Sequence, residues 1–231
     1  MTARLITLHA RPKPFRFDPK RTAVLSVDWQ RDFLEPGGYG EALGNDVSKL
    51  RKAIEPARKV LASARKAGLL IVHTREGHLS DLSDCPKTKL DRWPKGKRIG
   101  DRGPMGRILI RGEPGHEIIE ELRPIPGEIV IDKPGKNAFL RTLLERKLRA
   151  RNIESLIEIG VTTDICGVTT FAGGNDLGFD MLAVSDAMAS YSPARHRAVL
   201  DIITAQGGIL GWVTESKYLI PVLEQIQRTR N

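Results

Sequence analysis

Six short apolar runs punctuate the chain: TAVLSV at 22–27, LLIVHT at 69–74, EIVID at 128–132, SLIEIG at 155–160, DMLAVS at 180–185 and GILGWV at 208–213. Each is continuous instead of alternating, as strands covered on both faces should be. Between them apolar positions return every three or four residues. In DVSKLRKAIEPARKVLASARKAG, residues Leu50, Ile54, Ala57, Val60, Leu61 and Ala64 share one helix face. Gly68 would end that helix, and Pro56 is expected to kink it. The same spacing predicts helices over 115–122, 140–152, about 165–177, 192–206 and 215–228. The helix at 192–206 has Ser192 as cap and Pro193 in its first turn. Strands alternating with helices imply right-handed crossovers. The prediction is an α/β, three-layer Rossmann-like fold: a six-stranded, mainly parallel sheet with helices on both faces, formed by residues 1–231 as one domain.

Residues 76–112 break the alternation with a long stretch of Gly, Pro and charge. A connection of that length reads as an active-site loop or lid. Of the 231 residues 40% are hydrophobic, enough for one sizeable core. The formal net charge of +9 raises the question of nucleic acid. The basic residues, however, are spread from Arg51 to Arg230, and only six Phe and three Tyr are available to stack on bases. The charge is read as a solvated surface, with no nucleic-acid partner. No stretch approaches the roughly 18 apolar residues of a bilayer span. The start, MTARLITLHARPKPFRF, lacks the unbroken apolar centre of a secretory signal. A soluble, cytoplasmic protein without a membrane partner is expected, its two cysteines, Cys85 and Cys166, free thiols.

In open α/β sheets ligands bind beyond the carboxyl ends of the strands. There the first run leads into VDWQRDF and delivers Asp28, and the third leads into DKPGKNAF and delivers Asp132, Lys133 and Lys136. The fourth leads into GVTTDIC, with Cys166 at the start of a helix. A carboxylate, an ammonium and a thiol thus meet at one sheet edge. The thiolate is the reactive form of a cysteine, and a helix N-terminus or a cation such as Lys133 lowers the thiol's ordinary value of ~8.5. Asp28 could take the thiol proton and pass it to a leaving amine, with Lys133 holding the carboxylate in place. Backbone N–H groups at the start of the Cys166 helix could face a developing oxyanion. The plain alternative is a small apolar residue in a core.

The three strings VDWQRDF, DKPGKNAF and GVTTDIC, in this order, resemble the motifs of the isochorismatase-like cysteine hydrolases over about residues 20–215. The resemblance implies Cys166 as nucleophile, Asp28 as base and Lys133 as its partner. It also implies a cis peptide between Val161 and Thr162, turning the Thr162 N–H toward the oxyanion beside that of Cys166. No metal or other cofactor is expected. Within the family, HTREGH, RIGDRGPMGRILIRGEPG, IDKPGKNAF and QGGILGWV look most like the biuret hydrolase branch. ARPKPFRFDPKRTAVLSVD and GWVTES also look like ureidoacrylate amidohydrolases; both substrates carry a terminal carbamoyl group. By similarity, Gln206 would hydrogen-bond the substrate amide, Lys136 would contact a distal carbonyl and Phe33 would pack over the pocket. Such relatives are commonly homo-oligomers, so a tetramer or dimer whose neighbours help close the site is expected. The chain departs from the biuret pattern after the cysteine, where Phe171, Gly173 and Gly174 stand in GVTTFAGGNDLGFD, and at Trp29, where Met or Leu is usual.

The expected activity is cysteine-dependent cleavage of a C–N bond in a small linear amide or ureide, biuret-like or carbamoyl, through an acyl-enzyme on Cys166. The alternatives are a ureidoacrylate- or N-carbamoyl-type amidase, vinyl-ether hydrolysis of isochorismate, whose enzymes generally lack the cysteine, and a noncatalytic binding protein. His73, Glu76 and His78 in HTREGH offer metal-ligand chemistry without the spacing of a zinc helix, so they are read as ordering the loop or touching substrate. In GGYGEAL, Leu43 occupies the third glycine position of a dinucleotide fingerprint, and Gly37, Gly38 and Gly40 are read as turn residues. Asp132 is read as structural, and Cys85 has no base paired with it.

Overall fold

The computed structural model describes residues 5–229. After an antiparallel hairpin, Ile6–Leu8 with Phe15–Phe17, comes the central sheet. Its strands are β1 (Thr22–Val27), β2 (Leu70–Glu76), β3 (Ile129–Lys133), β4 (Ser155–Val161), β5 (Asp180–Ala189) and β6 (Trp212–Thr214). They lie side by side in the order β3-β2-β1-β4-β5-β6, and every pairing is parallel. The strand order reverses between β1 and β4, which opens a crevice at their carboxyl ends. Every residue of β1 and β4 is buried, the reason their sequences read as unbroken apolar runs. At the sheet edge β3 alternates, with Ile131 and Lys133 buried and Val130 exposed.

Five helices cover the sheet: α1 (Ile54–Ala67), α2 (Leu144–Arg149), α3 (Val168–Asp176), α4 (Pro193–Gly208) and α5 (Ser216–Arg228). One face packs α1 and α5 against Val24, Ile71, Ile157, Ile159, Leu182 and Val184. The other packs α2, α3 and α4 against Leu25, Val72, Leu156, Met181 and Ala183. Both layers have the apolar faces that the spacing predicts. Among the described residues no helix is long and apolar enough to cross a membrane.

Several boundaries differ from the sequence expectation. Pro56 does not kink α1; it is the third helical residue, where an N–H has no intrahelical acceptor to lose. The break falls earlier, separating a single turn at Ser48–Arg51, and Gly68 ends α1 at φ 71° as expected. Residues 115–122 form no α-helix, only 3-10 turns at Pro114–His116 and Glu120–Leu122. Their backbone is committed elsewhere: Arg31 N–H donates to Glu117 O and Ile119 N–H to Trp29 O, both at 2.9 Å. The helix expected over 140–152 shrinks to α2, because Arg141 is left-handed at φ 58°. Ser192 caps α4 by accepting from Arg195 N–H, and Ala205, Gln206 and Gly207 leave helical geometry at the other end. Residues 76–112 are ordered, with a hairpin pairing Arg102–Gly103 and Gly106–Arg107 and a turn at Lys87–Leu90. They bury their own cluster of Cys85, Ile99, Ile108 and Leu109 with Tyr39, and Phe33 packs against both this cluster and the main core.

Candidate active site

Where β1 stops, Asp28 turns into left-handed backbone at φ 52°, a conformation few non-glycine residues hold. Its N–H donates to Thr74 O at 3.1 Å and its carbonyl accepts from Gln30 N–H at 2.7 Å. The carboxylate is fully buried, with Thr74 Oγ1 donating to Oδ1 at 2.6 Å. Lys133 is the last residue of β3, on the side of the strand opposite Asp132. Asp132 pairs instead with Arg75 at 2.8 Å, the structural role expected of it. The Lys133 stem crosses the end of β2, bringing Nζ to 2.7 Å from Asp28 Oδ2 and 2.8 Å from Gly135 O. Burial works against its charge, but the Asp28 carboxylate, with help from Glu76, raises its pKa above the ordinary lysine range.

Cys166 follows β4 across a cis Val161–Thr162 peptide and lies in a π-turn, Thr163–Gly167, that leads into α3. Thr162 O accepts from both Ile165 N–H at 3.1 Å and Gly167 N–H at 2.9 Å. The ligating atoms of Asp28, Glu76 and Cys166 all lie within 4.8 Å of one another. The thiol is not the activated thiolate that its sequence position suggested. Burial pushes it well above the ordinary value; Lys133 and then Lys136 pull the other way, while Asp28 and Glu76 add to the rise. A buried sulfur with two carboxylates beside it keeps its proton.

Glu76, read from the sequence as ordering the loop or touching substrate, is a direct neighbour of the Cys166 sulfur. It ends β2, is fully buried, and its Oε2 accepts from Cys166 Sγ at 3.5 Å. Lys136 Nζ donates to both oxygens, at 2.6 and 2.7 Å. Burial opposes the charge of Glu76, yet Lys136, Lys133 and Lys89 together hold its pKa at about 2. Glu76 is the last residue of β2, as Lys133 is of β3. The rest of HTREGH goes elsewhere, His73 to Glu128 at 2.9 Å and His78 to Asp84 at 3.1 Å. The three residues weighed as metal ligands thus have three separate partners, and ammonium groups already hold both carboxylates next to Cys166.

The glycines after Cys166 seat the loop that carries Lys136. A Cβ on Gly173 would stand 2.3 Å from Asn137 Nδ2, and one on Gly174 2.5 Å from Met181 Sδ. In the same contact Ala138 N–H donates to Thr170 Oγ1 at 3.0 Å, while Phe171 is buried beneath. Phe33 lies half-buried after β1, its carbonyl accepting from Tyr191 OH at 2.7 Å. Gln206 is not brought to this cluster. His196, near the start of α4, meets Thr163 at 2.8 Å. At about 1.5 Å per residue, Gln206 lies about 15 Å further along the helix, exposed and two residues before Gly208, which faces Pro12.

An all-parallel α/β sheet whose switch point holds a buried thiol beside a carboxylate–ammonium pair defines the class to which this chain conforms. The isochorismatase domain model matches residues 22–215, and the chain belongs to the isochorismatase family. It is 33% identical over 216 residues to the ureidoacrylate amidohydrolase RutB of Cronobacter sakazakii, covering 91% of each chain. Among solved structures it is similar to a cysteine hydrolase from Pseudomonas syringae pv. phaseolicola, with TM-score 0.76, 29% identity and coverage of 91% of this chain and 95% of that one. It is also similar to an isochorismatase family protein from Desulfovibrio vulgaris, with TM-score 0.73, 26% identity and coverage of 88% and 98%.

Proposed function

We propose that this protein is a cysteine-dependent amidohydrolase that cleaves a C–N bond other than a peptide bond in a small linear carbamoyl compound, biuret-like or a ureido acid. One observation carries the reading: a fully buried Asp28–Lys133 ion pair at 2.7 Å whose carboxylate lies within 4.8 Å of the Cys166 sulfur. The Cys166 proton passes to Asp28 as Sγ attacks the carbonyl carbon. The N–H groups of Thr162 and Cys166 receive the oxyanion. When the C–N bond breaks, the leaving nitrogen takes the proton back from Asp28 and departs as ammonia or an amine. Water then attacks the thioester and gives its proton to Asp28, and the thiol is restored. A neutral resting thiol suits this cycle, since it requires a base at hand and does not depend on a standing thiolate.

Lys136 in this scheme faces a distal carbonyl and Phe33 covers the pocket. Gln206, at the far end of α4, would meet a Cys166 pocket only in a second copy of the chain, so the same reading carries a homo-oligomer. The carboxylates nearest the sulfur are partnered by ammonium groups, which supports metal-independent chemistry in a cytoplasmic setting where both thiols stay free. The test is ammonia release from biuret, triuret, ureidoacrylate, nicotinamide and N-carbamoyl amino acids, before and after dialysis against chelator. Cys166→Ser should lower the rate by roughly three orders of magnitude or more. A fully active variant, or a panel with no substrate, would refute the reading.

A further inference from the structure

The charges around Cys166 do not balance. Three ammonium groups, those of Lys89, Lys133 and Lys136, stand against two carboxylates, those of Asp28 and Glu76. Lys133 is matched by Asp28 at 2.7 Å and Lys136 by Glu76 at 2.6 Å. Lys89 is the remainder. It rises from the Lys87–Leu90 turn of the long loop, and its Nζ is 3.8 Å from Glu76 Oε1, the carboxylate whose other oxygen meets Cys166 Sγ. Its closer partners are uncharged: Pro134 O at 2.7 Å and His78 Nε2 at 3.3 Å. His78 is kept neutral by burial and by Lys89 itself, against the pull of Asp84. The other groups facing this region do not supply the missing anion, because Asp84 is paired with Arg111 and the Tyr39 phenol is held un-ionised by burial. Burial also lowers the Lys89 pKa, an effect that the distant Glu76 does not overcome. The Lys89 side chain is 22% exposed, fixed in direction yet reachable.

We propose that Lys89 is the anchor for a carboxylate on the substrate, so that the site selects ureido acids, in which a carboxylate follows the carbamoyl group, over neutral ureides such as biuret. This rests on the amidohydrolase reading and narrows its substrate class. Glu76 and Lys136 then form a closed pair that lines the middle of the pocket, and the acid end of the substrate completes the pairing that the protein leaves open. A carboxylate beside Lys89 also explains why a loop lysine is carried to within reach of a fully buried glutamate.

The discriminating pair is ureidoacrylate and propenylurea, the same carbamoyl compound with a methyl group in place of the carboxylate. For the full chain, kcat/KM should favour ureidoacrylate. In Lys89→Met the ratio of the two values should fall roughly ten- to hundredfold, the range for a hydrogen bond to a charged group, mostly through KM. Lys95→Met, which removes the same charge from an exposed part of the loop, should leave the ratio unchanged and so separates anchoring from general attraction. A ratio that Lys89→Met does not move, or a wild-type preference for propenylurea, overturns the inference while leaving the amidohydrolase reading intact. Should neither compound be turned over, the amidohydrolase reading fails for them separately. Calorimetric titration of both compounds into wild type and Lys89→Met then still decides the anchor: affinity for the acid alone must drop, and equal affinities overturn it.

Discussion

Glu158 sits in β4 on the face that carries Cys166, fully buried, and among the described residues neither of its carboxyl oxygens has a hydrogen-bond partner. A Cβ added to Gly167, the residue after Cys166, would stand 3.4 Å from Glu158 Oε1. Burial and then the charge of Asp28 push its carboxyl well above the ordinary range, against the pull of Lys133, so the folded protein holds it neutral. Replacing Glu158 with Gln keeps its size and removes the titration. In the unfolded chain a glutamate ionises above ~4.3, while the folded chain keeps the proton, so the unfolded state binds fewer protons. Stability is therefore fully present below ~4.3 and is lost as pH rises toward the folded-state value, at about 1.4 kcal/mol per pH unit. Glu158→Gln lacks that loss. Over two pH units inside the window the variant should gain about 3 kcal/mol on wild type, or roughly 6–12 °C in midpoint for a chain of this size. Urea denaturation of both proteins at half-unit steps from pH 4.5 upward measures the gap. Curves that run parallel across pH would refute the argument that Glu158 folds as a buried neutral acid.

Lys133→Met strands the Asp28 carboxylate in a buried site and should destabilise the fold by about 3–5 kcal/mol. The double variant Asp28→Asn, Lys133→Met should recover most of that in chemical denaturation while staying inactive; equal instability of the two would contradict a matched pair. Because burial, above all, holds the Cys166 thiol protonated against the pull of Lys133, its alkylation by iodoacetamide in the free enzyme should keep accelerating as pH rises past 9, with no plateau near neutrality. A plateau below pH 8 would mean a standing thiolate. Gly160 holds φ 142°, and a Cβ there would lie 2.3 Å from Val27 O on the neighbouring strand, so Gly160→Ala must push β1 and β4 apart. We expect a loss of about 1–3 kcal/mol or more and an activity loss larger than the lost folded fraction explains; an active variant of wild-type midpoint would contradict it.

The sheet was legible because strands buried on both faces leave unbroken apolar runs, and α1 and α5 because each keeps one apolar face. Residues 115–122 misled for a definite reason: EIIEEL has helical spacing, but Glu117 O accepts from Arg31 N–H and Ile119 N–H donates to Trp29 O, both partners far away in sequence. The strand-end rule found Asp28, Lys133 and Cys166, since a parallel sheet carries those ends to one crevice. It did not give the charge state of the sulfur. A helix start and a nearby lysine argue for a thiolate, but the second carboxylate, Glu76, and the depth of burial depend on how three strand ends pack. The glycines after Cys166 looked like a departure in a helix and turned out to be clearance for Asn137 and Met181, a relation invisible along the chain.

The segment at residues 76–112 is built around hydrophobic residues of its own, joined to the body of the protein through Phe33 and Tyr39. Such an arrangement separates two tasks that many enzymes encode in the same residues. Changes among Cys85, Ile99, Ile108 and Leu109 can repack this segment while the sheet ends that hold Asp28, Lys133 and Cys166 stay as they are. Such changes can accumulate within one segment, with Phe33, which packs against both clusters, as the contact they must preserve.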